Sequence, residues 1–242
     1  MTPVPIVALD VASTEAALGL VGELGDSCRF YKVGSELFTA TGPSIVRELR
    51  RTGAEVFLDL KYHDIPNTVA GAVRNAAALG ARLLTVHAAG GGAMVRAAVE
   101  AAGDSARCGV LAVTLLTSLD AEQAATLWGR SPKDYRVADE VLRLSELAAS
   151  AGALGVVCGG GEAKAVKARF DRSLAVLIPG VRLPNSARQD QARVSTPRET
   201  ASAGADYVVV GRAVTAAPDR RRAMAEVISQ LKGVPAERGS LA

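Results

Sequence analysis

The sequence predicts an α/β fold, a (β/α)8 barrel made by a single domain, and three observations carry that reading. Eight short runs rich in Val, Ile, Leu or Phe recur along the chain, and continuous apolar runs suit parallel strands covered on both faces. Most of them are separated by Ala-rich segments with helical spacing. The length of 242 residues suits one barrel, for which about 250 is typical, and no linker rich in Pro, Gly or Ser divides the chain.

In order, the strands are expected over Val4 to Asp10, Arg29 to Gly34, Ala54 to Asp59, Arg82 to His87, Gly109 to Leu115, Leu154 to Cys158, Leu174 to Pro179 and Tyr207 to Gly211. Helical spacing falls on Ser13 to Leu24, Pro43 to Arg51, Val69 to Leu79, Ala93 to Ala102, Val137 to Ala151, Glu162 to Arg169 and Pro197 to Ala203. Ser13 is placed to cap the first helix. Thr196 stands before a first-turn proline, Pro197, and is followed by Glu199, a hydroxyl cap of the usual kind. Gly80 and Gly204 fall at helix stops. The longest interval, between the fifth and sixth strands, holds Leu119 to Trp128 and a polar loop from Gly129 to Asp134. We read it as an extra helix in preference to a mobile lid. From Gly233 the chain reads as a frayed tail.

Composition narrows the classes. An apolar share of 49% with 22% charged residues suits a soluble globular protein, and a net charge of +3 neither demands nor excludes a polyanionic partner. No basic stripe with interleaved aromatics suggests nucleic-acid binding, and no zinc cluster, P-loop, nucleophile elbow or complete dinucleotide fingerprint is present. Cys28, Cys108 and Cys158 are widely spaced in or beside apolar runs, which reads as buried thiols and fits a reducing cytoplasm. The N-terminus has no signal-peptide pattern, and no apolar stretch reaches the roughly 18 residues of a membrane helix.

The chemistry concentrates after the third strand, where Asp59, Lys61 and Asp64 follow an apolar run. Residues two apart on a strand share a face, so Asp59 and Lys61 point the same way, and two carboxylates would bracket one ammonium. A solvated charge cluster is the alternative. Lys32, inside the second apolar run, needs a carboxylate partner or a route to solvent; Asp10 and Asp59 are the candidates, although Asp10 also reads as a helix cap. After the seventh and eighth strands stand Arg182 and the pair Gly211 and Arg212. Barrel enzymes often hold phosphate there, and arginine's planar fork matches phosphate oxygens, so Arg182 and Arg212 read as a phosphate clamp. Gly90-Gly91-Gly92 and Gly159-Gly160-Gly161 read as turns or as anion-approaching backbone. His87 reads as a structural histidine more readily than as a base, and His63 carries no assignment.

Together, Ala8-Leu9-Asp10, Tyr31-Lys32-Val33-Gly34, Phe57 to Thr68, Val86-His87-Ala88-Ala89-Gly90-Gly91, Thr114-Leu115-Leu116-Thr117-Ser118, Pro179-Gly180-Val181-Arg182, Asp190-Gln191-Ala192-Arg193 and Val210-Gly211-Arg212 resemble the orotidine 5'-phosphate decarboxylase family over nearly the whole chain. Gly159 after Cys158, and Leu183-Pro184-Asn185, depart from the family pattern. The resemblance implies a homodimer of TIM barrels that converts orotidine 5'-monophosphate (OMP) to UMP and carbon dioxide, the last step of de novo pyrimidine synthesis, without metal or organic cofactor. It implies that Lys32, Asp59 and Lys61 meet the scissile carboxylate, that Lys61 protonates the carbon left behind, and that Asp64 joins from the partner subunit with Ile65 and Thr68 nearby. Asp10 is implied at the ribose hydroxyls and Thr117 and Ser118 at the pyrimidine. Arg182, Gln191, Gly211 and Arg212 are implied at the phosphate. A magnesium-dependent sugar-phosphate decarboxylase or aldolase of the same superfamily shares the Asp-x-Lys-x-x-Asp element; Ile65-Pro66-Asn67-Thr68 and Asp190-Gln191 favour the pyrimidine enzyme. A non-catalytic sensor that kept the clamp is the reading from another class.

Overall fold

The structure, a computed structural model, describes residues 2–183 and 195–233. Eight parallel strands close into a barrel in chain order: β1 (Val4–Ala8), β2 (Phe30–Gly34), β3 (Glu55–Tyr62), β4 (Leu83–His87), β5 (Gly109–Val113), β6 (Gly155–Val157), β7 (Ala175–Val181) and β8 (Tyr207–Val210). Around them run α1 (Thr14–Leu24), α2 (Ser35–Thr41), α3 (Ser44–Arg51), α4 (Pro66–Ala78), α5 (Gly92–Ala102), α6 (Ala121–Leu127), α7 (Val137–Ser150), α8 (Gly160–Phe170), α9 (Pro197–Ser202), α10 (Arg212–Thr215) and α11 (Arg220–Lys232). All eight expected strands and seven expected helices are present. Among the described residues no helix is long and apolar enough to cross a membrane.

Two-residue periodicity sorts the strand residues into two cores. Ile6, Phe30, Phe57, Leu83, Leu111 and Leu177 point inward and plug the barrel. Their neighbours Val7, Tyr31, Val56, Leu58, Leu84 and Val110 point outward under the helices. Both faces of each strand are therefore buried, which is why the strands read as continuous apolar runs and not as alternating ones. The interior plug fills the barrel below its C-terminal mouth, where Asp10, Lys32, Asp59 and Lys61 gather.

Local chemistry sets the ends. Ser13 Oγ accepts from the Ala16 amide. Thr196 and Glu199 form a reciprocal capping box before Pro197, and Asp120 and Gln123 form another at the start of α6, the extra helix between β5 and β6. Gly80 and Gly204 stop their helices with φ of 91° and 82°. The three cysteines are buried free thiols; burial raises the Cys28 thiol and lifts that of Cys108 to about 11.

Several expectations need correction. β3 runs past Asp59 to Tyr62, because its pairing with β4 resumes at Tyr62 after a register shift. α2 leaves β2 directly through Gly34 with no side-chain cap, so no local signal marked its start. α11 was hidden by Arg220-Arg221-Arg222, yet Ala223, Val227 and Leu231 recur every four residues behind an Asp219 cap. Gly233 is the C-cap of α11, and the rest of the expected tail lies outside the described residues.

One glycine is demanded by packing. A Cβ on Gly155 would fall 2.3 Å from the Ala175 carbonyl oxygen on the neighbouring strand. Gly155→Ala is expected to destabilise the fold by about 1–3 kcal/mol, whereas Gly22→Ala, on α1 with open space around it, is expected to be neutral or to add up to about 1 kcal/mol. Urea-denaturation midpoints check the pair.

Candidate active site

A cavity of about 560 Å³ opens at the C-terminal ends of the strands. β1, β2 and β3 deliver Asp10, Lys32, Asp59 and Lys61 to it; Leu116 and Thr117 come from the segment after β5. Arg182, Gly211 and Arg212 come from the ends of β7 and β8, and the same cavity joins them to the charged group.

The charged group alternates in sign. Asp10 Oδ1 lies 2.8 Å from Lys32 Nζ, which is 4.0 Å from Asp59 Oδ2, and both Asp59 oxygens accept from Lys61 Nζ at 2.9 Å. Lys32 and Asp59 keep only 12% and 14% of their side-chain exposure, against 36% for Lys61 and 58% for Asp10. The two inner members are thus largely out of water, where each charge requires the other, and Lys61 presents its ammonium to the cavity. Gly34 lies beside the Asp10–Lys32 contact. A Cβ there would fall 2.9 Å from Lys32 Nζ. Lys32 therefore has both of the partners its sequence position called for.

Asp59 and Lys61 share a face as expected, by an unexpected route. Pairing between β3 and β4 jumps from Leu58 opposite Leu84 to Tyr62 opposite Val86, so three residues, Asp59, Leu60 and Lys61, span the place of Thr85 alone, and Leu60 packs outward with the helices. Lys61 takes φ of 51°, a left-handed conformation uncommon for a non-glycine residue. Thr85, which sequence reasoning passed over, accepts from the Lys61 amide and donates to Asp59.

Asp64 departs from the expected bracket. Its Oδ1 accepts from the Ile65 amide at 2.6 Å, at the start of α4, and no ion pair joins it to Lys61 within the chain. The chain turns out of the mouth after Tyr62, leaving Asp64, Ile65 and Thr68 exposed and outside the cavity lining. Ile65 is 67% exposed, unusual for so large an apolar side chain. Ser118 is exposed and does not line the cavity, whereas Thr117 does. Gln191 lies outside the described residues, as do Pro184 and Asn185. Glu36 and Thr215 line the cavity without having been singled out; each sits in a short helix that the sequence pattern did not reveal.

The other candidates are structural. His87 packs against His63 with ring centroids 5.5 Å apart, and burial, then the neighbouring His63 and Lys61, lower its pKa below the ordinary imidazole value. The first glycine run is a turn into α5, where a Cβ on Gly90 would strike Met94. Gly159 caps α8, and a Cβ on Gly160 would strike Ser195. Among the described residues no three His, Cys, Asp or Glu side chains are grouped so as to hold a metal ion.

The family model described as Orotidine 5'-phosphate decarboxylase / HUMPS family matches residues 3–227. The chain belongs to the orotidine 5'-phosphate decarboxylase / HUMPS family. Among its relatives, the orotidine 5'-phosphate decarboxylase of Anaeromyxobacter sp. (strain K) is 50% identical over 212 residues, covering 88% of this chain and 91% of that protein. The one from Nitrosococcus oceani is 43% identical over 231 residues, 95% and 97% of the two chains. The crystal structure of orotidine 5'-phosphate decarboxylase from Lactobacillus acidophilus superposes with a TM-score of 0.83 at 34% identity, covering 96% of this chain and all of that one. The resemblance carried by the motifs is borne out, and in this chain the charged group and the arginines line one cavity.

Proposed function

We propose that this chain decarboxylates OMP to UMP and carbon dioxide, the last step of de novo pyrimidine synthesis, using Lys61 as proton donor and neither metal nor organic cofactor. The observation that carries the reading is the Asp10–Lys32–Asp59–Lys61 chain of alternating charges, joined by one cavity to Arg182 and Arg212. Breaking the bond from the pyrimidine ring to its carboxylate leaves an electron pair in the ring plane, with no neighbouring sink. A fixed ammonium stabilises that pair as it forms and then gives it a proton, after which Lys61 recovers a proton from solvent. Lys32 and Asp59 hold that ammonium at the reacting carbon. Asp10, exposed at the cavity edge, accepts from ribose hydroxyls, and Thr117 meets the pyrimidine. Arg182, Gly211, Arg212 and Gln191 bind the phosphate, and this remote binding positions the ring.

The family description pairs two names, and both quoted relatives carry the first. Both oxygens of Asp59 already accept from an ammonium, which favours a lysine over a magnesium ion as the cation of the site. Three buried thiols suit a cytoplasmic enzyme. Offered OMP and, separately, a sugar phosphate with magnesium, the protein is expected to form UMP from the first and to leave the second unchanged. Turnover of the sugar phosphate alone would reverse the assignment.

The active form is proposed as a homodimer in which Asp64, Ile65 and Thr68 reach the partner's site, which accounts for their exposure and for Asp64 missing its own Lys61. Lys61→Ala and Asp64→Ala should each be inactive alone. Mixed and allowed to exchange subunits, they should regain roughly a quarter of the wild-type sites, because half of the random pairs hold one unaltered site. No recovery in a mixture shown to exchange would contradict the shared site.

A further inference from the structure

We propose that Thr85, which lies outside the cavity, is a positioning residue that fixes the Asp59–Lys61 pair; the proposal rests on the decarboxylase reading above. Among the described residues, the buried Ser and Thr side chains are Thr85, Thr114, Ser145 and Thr200. The hydroxyls of the last three donate to main-chain carbonyls, those of Val157, Val141 and Pro197. Thr85 alone donates to a carboxylate, Asp59 Oδ1, at 3.0 Å.

The direction of that bond is forced. The Lys61 amide lies 2.9 Å from Thr85 Oγ1 and can only donate, so the hydroxyl accepts there and spends its one proton on Asp59. One side chain thus holds the main chain of Lys61 and the carboxylate that holds the Lys61 ammonium. The need for it comes from the sheet. Where pairing jumps from Leu58–Leu84 to Tyr62–Val86, Lys61 has no register partner on β4, and Thr85 Oγ1 accepts from its amide. The left-handed backbone at Lys61 persists only where the surroundings over-determine it, and this hydroxyl is one of the groups that do so.

Thr85→Val keeps the shape and β-branching but can neither accept nor donate, whereas Thr85→Ser keeps both functions. Relative to the unaltered protein, Thr85→Val is expected to lose roughly tenfold or more in kcat for OMP, with KM and UMP affinity changed by no more than about threefold because the phosphate end is untouched. Thr85→Ser should keep kcat within about threefold. A structural role would lower the melting temperature of both variants and leave the kcat-to-KM balance alone. Wild-type kcat in Thr85→Val, or an equal loss in Thr85→Ser, would overturn the proposal. Should Thr85→Val fail to fold, Thr85→Ala takes its place, and unfolding of both would also overturn it, because the hydroxyl would then serve the fold. Lack of OMP turnover by the unaltered protein would instead overturn the function reading, and this proposal with it.

Discussion

Replacing Lys61 by alanine is expected to lower kcat for OMP by about 10⁴-fold or more while UMP still binds. Two contributions vanish together. A preorganised charge aimed at a developing anion is worth on the order of 10²–10³ in rate, and a positioned proton donor roughly 10²–10⁴. Their product is an upper bound, because groups that act as one unit are not additive. Single-turnover kinetics with OMP, beside equilibrium binding of UMP, measure both halves. The variant also leaves Asp59 largely buried with Lys32 4.0 Å away and the Thr85 hydroxyl as its remaining partners, so its urea midpoint should fall as well. Activity within tenfold of wild type would remove Lys61 from the proton-donor role.

Arg212→Ala is expected to act on phosphate binding and not on the reacting carbon. A forked, charge-assisted contact to phosphate is worth about 3 kcal/mol, or roughly a hundredfold in kcat/KM. UMP binding should weaken by a similar factor. Uridine, which lacks the phosphate, supplies the control: its weak binding should be the same in both proteins. An equal effect on uridine and UMP would move Arg212 away from the phosphate. The two variants together test whether chemistry and phosphate binding are divided between Lys61 and Arg212, which line one cavity of about 560 Å³.

How much of this was legible in the sequence depends on how local each feature is. The strands were legible because burial on both faces writes itself as an unbroken apolar run, and a lysine inside such a run, Lys32, announces a partner. Asp59, Lys61 and Arg212 stood out for the same reason, as charges at the ends of apolar segments. Register is a relation between strands, however, and one chain segment does not encode it. Thr85 in Leu83–His87 looks like ordinary β-branched strand filler until the β3–β4 pairing jumps beside it. The direction of Asp64 was illegible for a related reason: strand alternation applies only while the strand lasts, and the chain leaves the sheet at Tyr62. Short helices such as α2, with one buried residue and no cap, leave too little pattern to read, which is why Glu36 entered the cavity unannounced.

The most direct measurement is the orotate-type ultraviolet absorbance of OMP after addition of the purified protein, with and without EDTA. Rapid loss at the same rate in both, with UMP as the product, is the expected result. No loss of absorbance from a folded protein that binds UMP, or loss that EDTA abolishes, would contradict a metal-free decarboxylase driven by Lys61.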